Sequence, residues 1–206
     1  MSKKQVKIAA ITPHGAGGAD DLLSAMMLSL MLRGWCVRGL IQSRRGIGAL
    51  AEHALIDLEK GDRYLISQAS EADALGCRVD SHALAGAAQV LQRARTADAE
   101  LVVINRFGYL ESQGKGFAPE MRDLISDGRP LLTIVHDEYL PSWRAFTKGG
   151  AAELTNDPLP ITHWLSVNIR PCPFPVSCRG VALAHGCAIR DGETLAPHLG
   201  PGRVVR

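Results

Sequence analysis

Residues 6–21 read VKIAAITPHGAGGADD, and this stretch decides the fold class. An apolar run rich in β-branched residues ends at a proline and a cluster of glycines, the pattern of a strand buried on both faces of a parallel sheet. Asp20 or Asp21 can then cap a helix whose apolar residues share one face, and Gly34 stands where a C-terminal glycine cap belongs. A strand, a glycine-rich loop and a helix therefore form the first unit of an α/β domain.

The rest of the chain continues this alternation. It predicts strands at residues 35–42, 101–104 and 130–135, a hairpin of residues 55–58 and 64–67, and helices beginning at Asp80 or Ser81, at Pro119 and at Leu140. After about Val167 the composition shifts to Pro, Gly and Cys, and periodicity is lost. We therefore predict a three-layer α/β domain with a mainly parallel sheet over residues 1–167 and an irregular C-terminal extension over residues 168–206.

The composition excludes several classes of protein. The chain is 46% hydrophobic, 21% charged and 5% aromatic, which is ordinary for a globular protein with an aliphatic core. A net charge of +2 offers no broad basic surface, so we expect no nucleic-acid partner. No apolar stretch is long enough for membrane insertion or for a secretory signal, and five cysteines, an odd number, favour free thiols in the reducing cytoplasm.

The loop after the first strand has the glycines of a phosphate-binding loop, whose backbone N–H groups approach an anion at a helix N-terminus. Aligning Gly15 and Gly17 on the glycine turn puts Gly18 where a working loop has its Lys. Ala19 then stands where such a loop has the hydroxyl that binds Mg²⁺. The loop therefore lacks both the amine and the hydroxyl that hold a nucleoside triphosphate and its metal ion.

Two carboxylates follow this loop. Asp20 and Asp21 stabilise an empty helix N-terminus, but their negative charge competes with a bound phosphate. Two interpretations stay open. The loop is either a degenerate anion-binding loop or a tight glycine turn before a carboxylate-capped helix.

A second strand end reads LVVINRFG at residues 101–108 and is followed by Glu111. A hydrolysing enzyme would close this strand with Asp for the Mg²⁺ shell and often with Glu to orient water, whereas Asn105 and Arg106 hold these places. Arg106 can grip an oxyanion with its fork of N–H groups, so we predict an anion-accepting site. The alternative is that Arg106 pairs with Glu111 and braces the loop.

His136 follows the strand at residues 130–135 and is either a ligand or base, or a structural histidine with satisfied hydrogen bonds. No catalytic residue is assigned. The predicted ligand-binding residues are Gly15, Gly17, Gly18, Asp20, Asn105, Arg106, Glu111 and His136.

The cysteines suggest a further possibility. Cys77 lies beside Arg78, which favours a reactive thiol, but burial as a small apolar residue is the simpler interpretation. In the extension the spacing does not match that of structural zinc sites, so we expect no metal there. The residues concerned are Cys172, Cys178, His185 and Cys187.

Several short runs resemble a bacterial family catalogued as a domain of unknown function. The runs are DDLL at 20–23, GLIQ at 39–42, ISQ at 66–68, GCRVD at 76–80, LVVINRFG at 101–108 with Glu111 and GKG at 114–116, and PLLT at 130–133. This family often accompanies molybdate-transport genes and is sometimes labelled a molybdenum-transport ATP-binding protein. It is in turn similar to the thermophile-type nucleoside-triphosphatases, which are P-loop proteins.

The resemblance implies a P-loop nucleoside-triphosphatase-like fold over about residues 6–165. We expect an accessory protein that binds a small molecule, either a nucleotide or an oxyanion, and that is linked to molybdenum metabolism or transport. A divergent nucleoside-triphosphate hydrolase and a thiol-based metal-binding module are the alternatives. The resemblance leaves the cofactor open. The extension and the methionine-rich first helix are candidate contacts of a homo-oligomer.

Overall fold

The structure, a computed structural model, describes residues 7–13, 18–45, 52–67, 81–169 and 204–205. Its strands are β1 (Ile8–Thr12), β2 (Val37–Arg45), β3 (Glu52–Asp57), β4 (Arg63–Ser67), β5 (Leu101–Phe107), β6 (Leu131–Val135), β7 (Ala152–Thr155) and β8 (Val204–Val205). Its helices are α1 (Ala19–Leu32), α2 (Ser81–Thr96), α3 (Tyr109–Ser112), α4 (Ala118–Ser126), α5 (Leu140–Phe146) and α6 (Pro158–Asn168), with a 3-10 turn at Asp137–Tyr139.

The strands form one sheet in the order β7-β1-β6-β5-β2-β3-β4-β8. The five strands from β7 to β2 are parallel, β2, β3 and β4 pair antiparallel, and β8 lies parallel to β4. The mainly parallel sheet and the β3–β4 hairpin were both predicted, and both are confirmed.

Helices cover both faces of the sheet, so the three-layer architecture is confirmed. The helices α2, α4 and α5 pack on one face, here called the α2 face, where Leu91, Leu124 and Trp143 are fully buried. The helices α1 and α6 pack on the other, the α1 face, where Leu23 and Met27 are fully buried. None of the described helices is both long and apolar enough to cross a membrane.

The start of α1 differs from the prediction. The helix begins at Ala19 after Gly18, and no side chain among the described residues caps it. Asp20 and Asp21 lie inside the first turn instead, where a carboxylate still stabilises the positive end of the helix dipole. The predicted C-terminal glycine is confirmed, because Gly34 has a φ of 88° and donates its N–H to the Met31 carbonyl at 3.0 Å.

The sequence patterns missed α3, β7 and α6. The start of α6 carried a clear signal, since Asp157 accepts the N–H of Leu159 at 2.7 Å and Pro158 opens the helix. The predicted boundary after residue 167 falls one residue before the end of α6, and Ile169 is buried in the core of the α1 face. Residues 170–203 lie outside the described residues, so the irregular extension stays a prediction.

At one point the backbones of β2 and β5 lie too close together to admit a side chain. Gly39 lies opposite Val103 with a φ of 113°. A Cβ atom at this position would overlap the carbonyl oxygen of Val103. Only glycine therefore lets β2 approach β5 here, and this pairing positions the strand ends described below.

We expect Gly39→Ala to lower the free energy of unfolding by about 3 kcal/mol or more, because it combines left-handed strain with a backbone overlap. Gly34→Ala is the matched control: its φ is 88°, and nothing lies within 4 Å of a Cβ at that position. It should cost only about 1–2 kcal/mol. Urea unfolding measures both, and equal losses would mean that the sheet relaxes to admit the methyl group.

Candidate functional site

The parallel strands β7, β1, β6, β5 and β2 end at one rim of the sheet, which is where ligands of open α/β sheets bind. The structure brings five of the predicted residues to this rim, namely Gly18, Asp20, Asn105, Arg106 and His136. Gly15 and Gly17 lie outside the described residues.

A β-bulge decides what the end of β5 presents. The register against β6 shifts between Ile104 and Arg106, so Asn105 is an extra residue. Simple alternation would turn Arg106 to the α2 face and Phe107 to the α1 face. The bulge reverses both: Phe107 is fully buried on the α2 face, and Arg106 reaches α1.

Aromatic packing holds the buried side of this bulge. The ring centroids of Phe107 and Trp143 are 5.2 Å apart in an edge-to-face arrangement, and Phe146 lies 5.2 Å from Phe107. Such pairs stabilise a site by roughly 0.5–1.5 kcal/mol beyond their buried area. The strand end is therefore fixed on one face of the sheet while Arg106 projects on the other.

Arg106 pairs with a residue that is distant in sequence. Its Nη2 donates to Oδ2 of Asp20 at 2.8 Å, and both side chains are about one third exposed, at 35% and 36%. The expected alternative, a pair between Arg106 and Glu111, is therefore wrong. Neither Nε of Arg106 nor Oδ1 of Asp20 has a hydrogen-bond partner in the described parts of the chain, although both atoms are buried.

Glu111 serves the adjoining loop instead. It is 8% exposed, and its two oxygens accept the backbone N–H groups of Gly108 and Phe117, each at 3.0 Å. Gly116 packs so closely on this carboxylate that a Cβ there would overlap it. Because the backbone engages both oxygens, Glu111 supports the loop after β5, and its predicted role in ligand binding stays a prediction.

Asn105 ties the bulge to β2 and β3. It is 4% exposed, its Oδ1 accepts the backbone N–H of Gln42 at 2.9 Å, and its Nδ2 donates to Oε1 of Gln42 at 2.8 Å. Nε2 of Gln42 lies 3.0 Å from Nδ1 of His53. Asn105 thus fixes the backbone next to Arg106, and its predicted contact with a ligand stays a prediction.

The direction of this chain of hydrogen bonds is fixed at one end. The backbone N–H of Gln42 can only donate, so Asn105 must turn its oxygen to it and its amide NH₂ to Oε1 of Gln42. The NH₂ of Gln42 then donates to His53, whose Nδ1 must carry a lone pair. His53 is therefore the tautomer protonated on Nε2.

Two further polar groups lie at the rim. His136 follows β6, which lies between β1 and β5, and its Nε2 is buried with no hydrogen-bond partner among the described residues. Asn156 follows β7, its Oδ1 is likewise unpartnered, and its Nδ2 lies 3.9 Å from the position of a Cβ on Gly18. Four residues at or next to this rim, Asp20, Arg106, His136 and Asn156, thus carry buried polar atoms with no partner among the described residues.

Sequence reasoning missed Gln42, His53 and Asn156. Gln42 ends the GLIQ run, and its polar side chain at the end of an apolar strand was the available signal. Asn156 belongs to a strand-to-helix connection that was not predicted. Cys77 and the cysteines of the extension lie outside the described residues, and within the described ones no three His, Cys, Asp or Glu side chains gather to hold a metal.

A large cleft lies elsewhere. It has a volume of about 1320 Å³, runs between α4 and α5, and includes Arg122, whose guanidinium lies 5.3 Å from the ring centroid of Phe146. None of its lining residues carries one of the buried, unpartnered polar atoms found in the described chain. The strand-end rim, where such atoms gather, is the better candidate site.

Comparisons with known proteins show the family of this chain. The family described as "Protein of unknown function (DUF2478)" matches residues 8–164. A curated relative, the molybdenum import ATP-binding protein ModC 2 of Bradyrhizobium diazoefficiens, is 30% identical over 160 residues. That match covers 77% of this chain and 18% of the relative, so the chain spans less than a fifth of the relative's length.

Two solved structures share the fold. The solution structure of a human cancer-related nucleoside triphosphatase has a TM-score of 0.57 and 18% identity, covering 78% of this chain and 94% of that one. The crystal structure of THEP1 from the hyperthermophile Aquifex aeolicus has a TM-score of 0.59 and 17% identity, covering 79% of this chain and 99% of that one. The predicted P-loop nucleoside-triphosphatase-like fold is confirmed.

We expect Asn105→Asp to reverse the hydrogen-bond chain. A carboxylate only accepts, so Gln42 must turn its NH₂ toward residue 105 and its oxygen toward His53, which then needs a proton on Nδ1. Imidazole ¹⁵N shifts measured by NMR at neutral pH report the tautomer. The wild type should be protonated on Nε2 and the variant on Nδ1, and an unchanged His53 spectrum would contradict the chain.

Proposed function

The chain belongs to the family of proteins of unknown function designated DUF2478, and from the geometry of its strand ends we propose that it is an accessory protein that binds an oxyanion or the phosphate of a nucleotide. The ligand sits at the rim between the start of α1 and the end of β5. We place this activity in the cytoplasm and link it to molybdenum metabolism or transport.

One observation carries the proposal: the bulge at Asn105 turns Arg106 toward the first turn of α1. A guanidinium is always charged and presents a fork of donors that matches two oxygens of an oxyanion. Its Nε remains unpartnered in the described chain, so a donor stands ready beside the one that Asp20 occupies.

The surroundings support an anion at this place. The N-terminus of α1 carries the positive end of the helix dipole, and its first N–H groups have no partners inside the helix. Asn156 lies beside Gly18 at the start of α1, and His136 follows β6 at the same rim of the sheet. The molybdenum import relative supports including molybdate and tungstate among the anions, and the nucleoside-triphosphatase fold supports including nucleotides.

The same residues do not fit a catalytic Mg²⁺ ion. The hydrolysing arrangement needs an Asp at the end of β5 to hold the metal shell, together with a Lys and a hydroxyl in the loop. Asn105 stands at the first place, and its oxygen already accepts the N–H of Gln42. Gly18 and Ala19 stand at the other two. We therefore propose binding without hydrolysis.

We expect Arg106→Ala to weaken anion binding by about 1.5–3 kcal/mol, the range for a hydrogen bond to a charged group. The melting temperature should change little, because the pair with Asp20 is partly exposed. Calorimetric titration with molybdate, tungstate, phosphate, AMP and ATP measures the loss. Arg95→Ala is the control, since Arg95 pairs with Asp123 and Asp127 between α2 and α4. An equal loss in both variants would reject Arg106 as a ligand-binding residue.

We also expect no appreciable hydrolysis of ATP or GTP with Mg²⁺ present. Phosphate release from repurified protein should stay at the level of the buffer, since the groups that neutralise charge developing on the phosphates are absent from their places. Turnover near one per second that disappears in a Gly18→Val variant would show that the chain is an enzyme after all.

A further inference from the structure

We propose that Asp20 is the specificity-determining residue of this site. Its carboxylate occupies the donor of Arg106 that an anionic ligand would otherwise use, and the site therefore prefers small anions of one or two charges to nucleoside triphosphates. The inference rests on the proposed function and names its ligand class.

The ion pair between Asp20 and Arg106 is incomplete. It consists of one hydrogen bond, from Nη2 to Oδ2, while Nε of Arg106 and Oδ1 of Asp20 are buried without partners in the described residues. A tetrahedral or carboxylate oxyanion can take Nε and Nη2 together as a bidentate ligand. An incoming anion thus replaces one hydrogen bond with two, which gives it a means to displace the internal carboxylate.

The displaced carboxylate stays close. Asp20 belongs to the first turn of α1, so a ligand on Arg106 must lie near its negative charge as well as near the guanidinium. Repulsion between charges grows in proportion to the charge of the ligand. A nucleoside triphosphate, with about four negative charges, therefore loses about twice as much as a monophosphate with about two.

This charge balance differs from that of a working phosphate loop. There a Lys and a metal ion offset the charge of the triphosphate. Here Gly18 offers no charge, and Asp20 adds one of the wrong sign. Arg106 and the helix N-terminus offset most of the charge of a small dianion but only a smaller part of that of a triphosphate.

The test uses the adenosine series AMP, ADP and ATP together with inorganic phosphate, titrated calorimetrically in EDTA. These nucleotides share a base and differ in charge. In the wild type we expect affinity to fall from AMP to ATP. Asp20→Asn keeps the size of the side chain and removes its charge, so it should tighten binding about threefold for AMP and phosphate but about tenfold for ATP.

Asp21→Asn is the matched control. Asp21 lies in the same turn but is exposed and forms no ion pair with Arg106, so this variant should change every affinity by less than about threefold. Asp20→Ser serves as a second neutral variant at the same position. Circular dichroism confirms that all three variants fold.

Each outcome decides one point. A larger gain in affinity over the wild type for ATP than for AMP, in both neutral Asp20 variants, supports the inference. Equal gains for all ligands, or gains matched by Asp21→Asn, would overturn it while anion binding through Arg106 stands. If neither the wild type nor the Asp20 variants bind any of these anions, or molybdate, the proposed function itself falls.

Discussion

A single hydrogen bond, from the backbone N–H of Gln42 to Oδ1 of Asn105, is the constraint on which the site depends. It satisfies a strand N–H with a side chain and so leaves room for one extra residue in β5. That extra residue exchanges the faces of the two residues after it. Phe107 joins the aromatic core, and Arg106 joins the start of α1. The extra residue in β5 thus determines both the packing of the aromatic core and the position of Arg106 at the rim.

At the rim, the backbone around Arg106 is held rigidly, and the charge of Arg106 is partly offset by one carboxylate. Buried groups hold the backbone on both sides of Arg106: Asn105 before it and, through the loop that follows, Glu111 after it. The guanidinium itself is only partly buried and is matched by one carboxylate oxygen. A cation fixed in position but incompletely paired is suited to exchange partners, because little of the scaffold has to move when it does.

The sequence was informative where the physics is local. Apolar runs predicted the parallel strands, and polar residues after them predicted the rim, because the carboxyl ends of parallel strands meet at one edge. It failed where a contact joins distant residues. Glu111, five residues away, was the partner that the alternative interpretation gave to Arg106, whereas the partner in the structure, Asp20, is eighty-six residues away. The bulge was also beyond reach, since alternation alone gives no sign of an extra residue.

The C-terminal strand β8 covers the outer edge of β4, and it is the last strand of the sheet to be synthesised. β8 pairs with β4, so that Val204 and Val205 lie against Arg63 and Tyr64 along the edge of the sheet. In synthesis at about 5–20 residues per second, β4 waits on the order of ten seconds for this partner. During that interval the edge of β4 that does not pair with β3 is open to strands of other chains, and such pairing is the usual start of aggregation. The outer edge of β4 at Arg63 and Tyr64 is therefore covered by β8 only after residues 204–205 have been made.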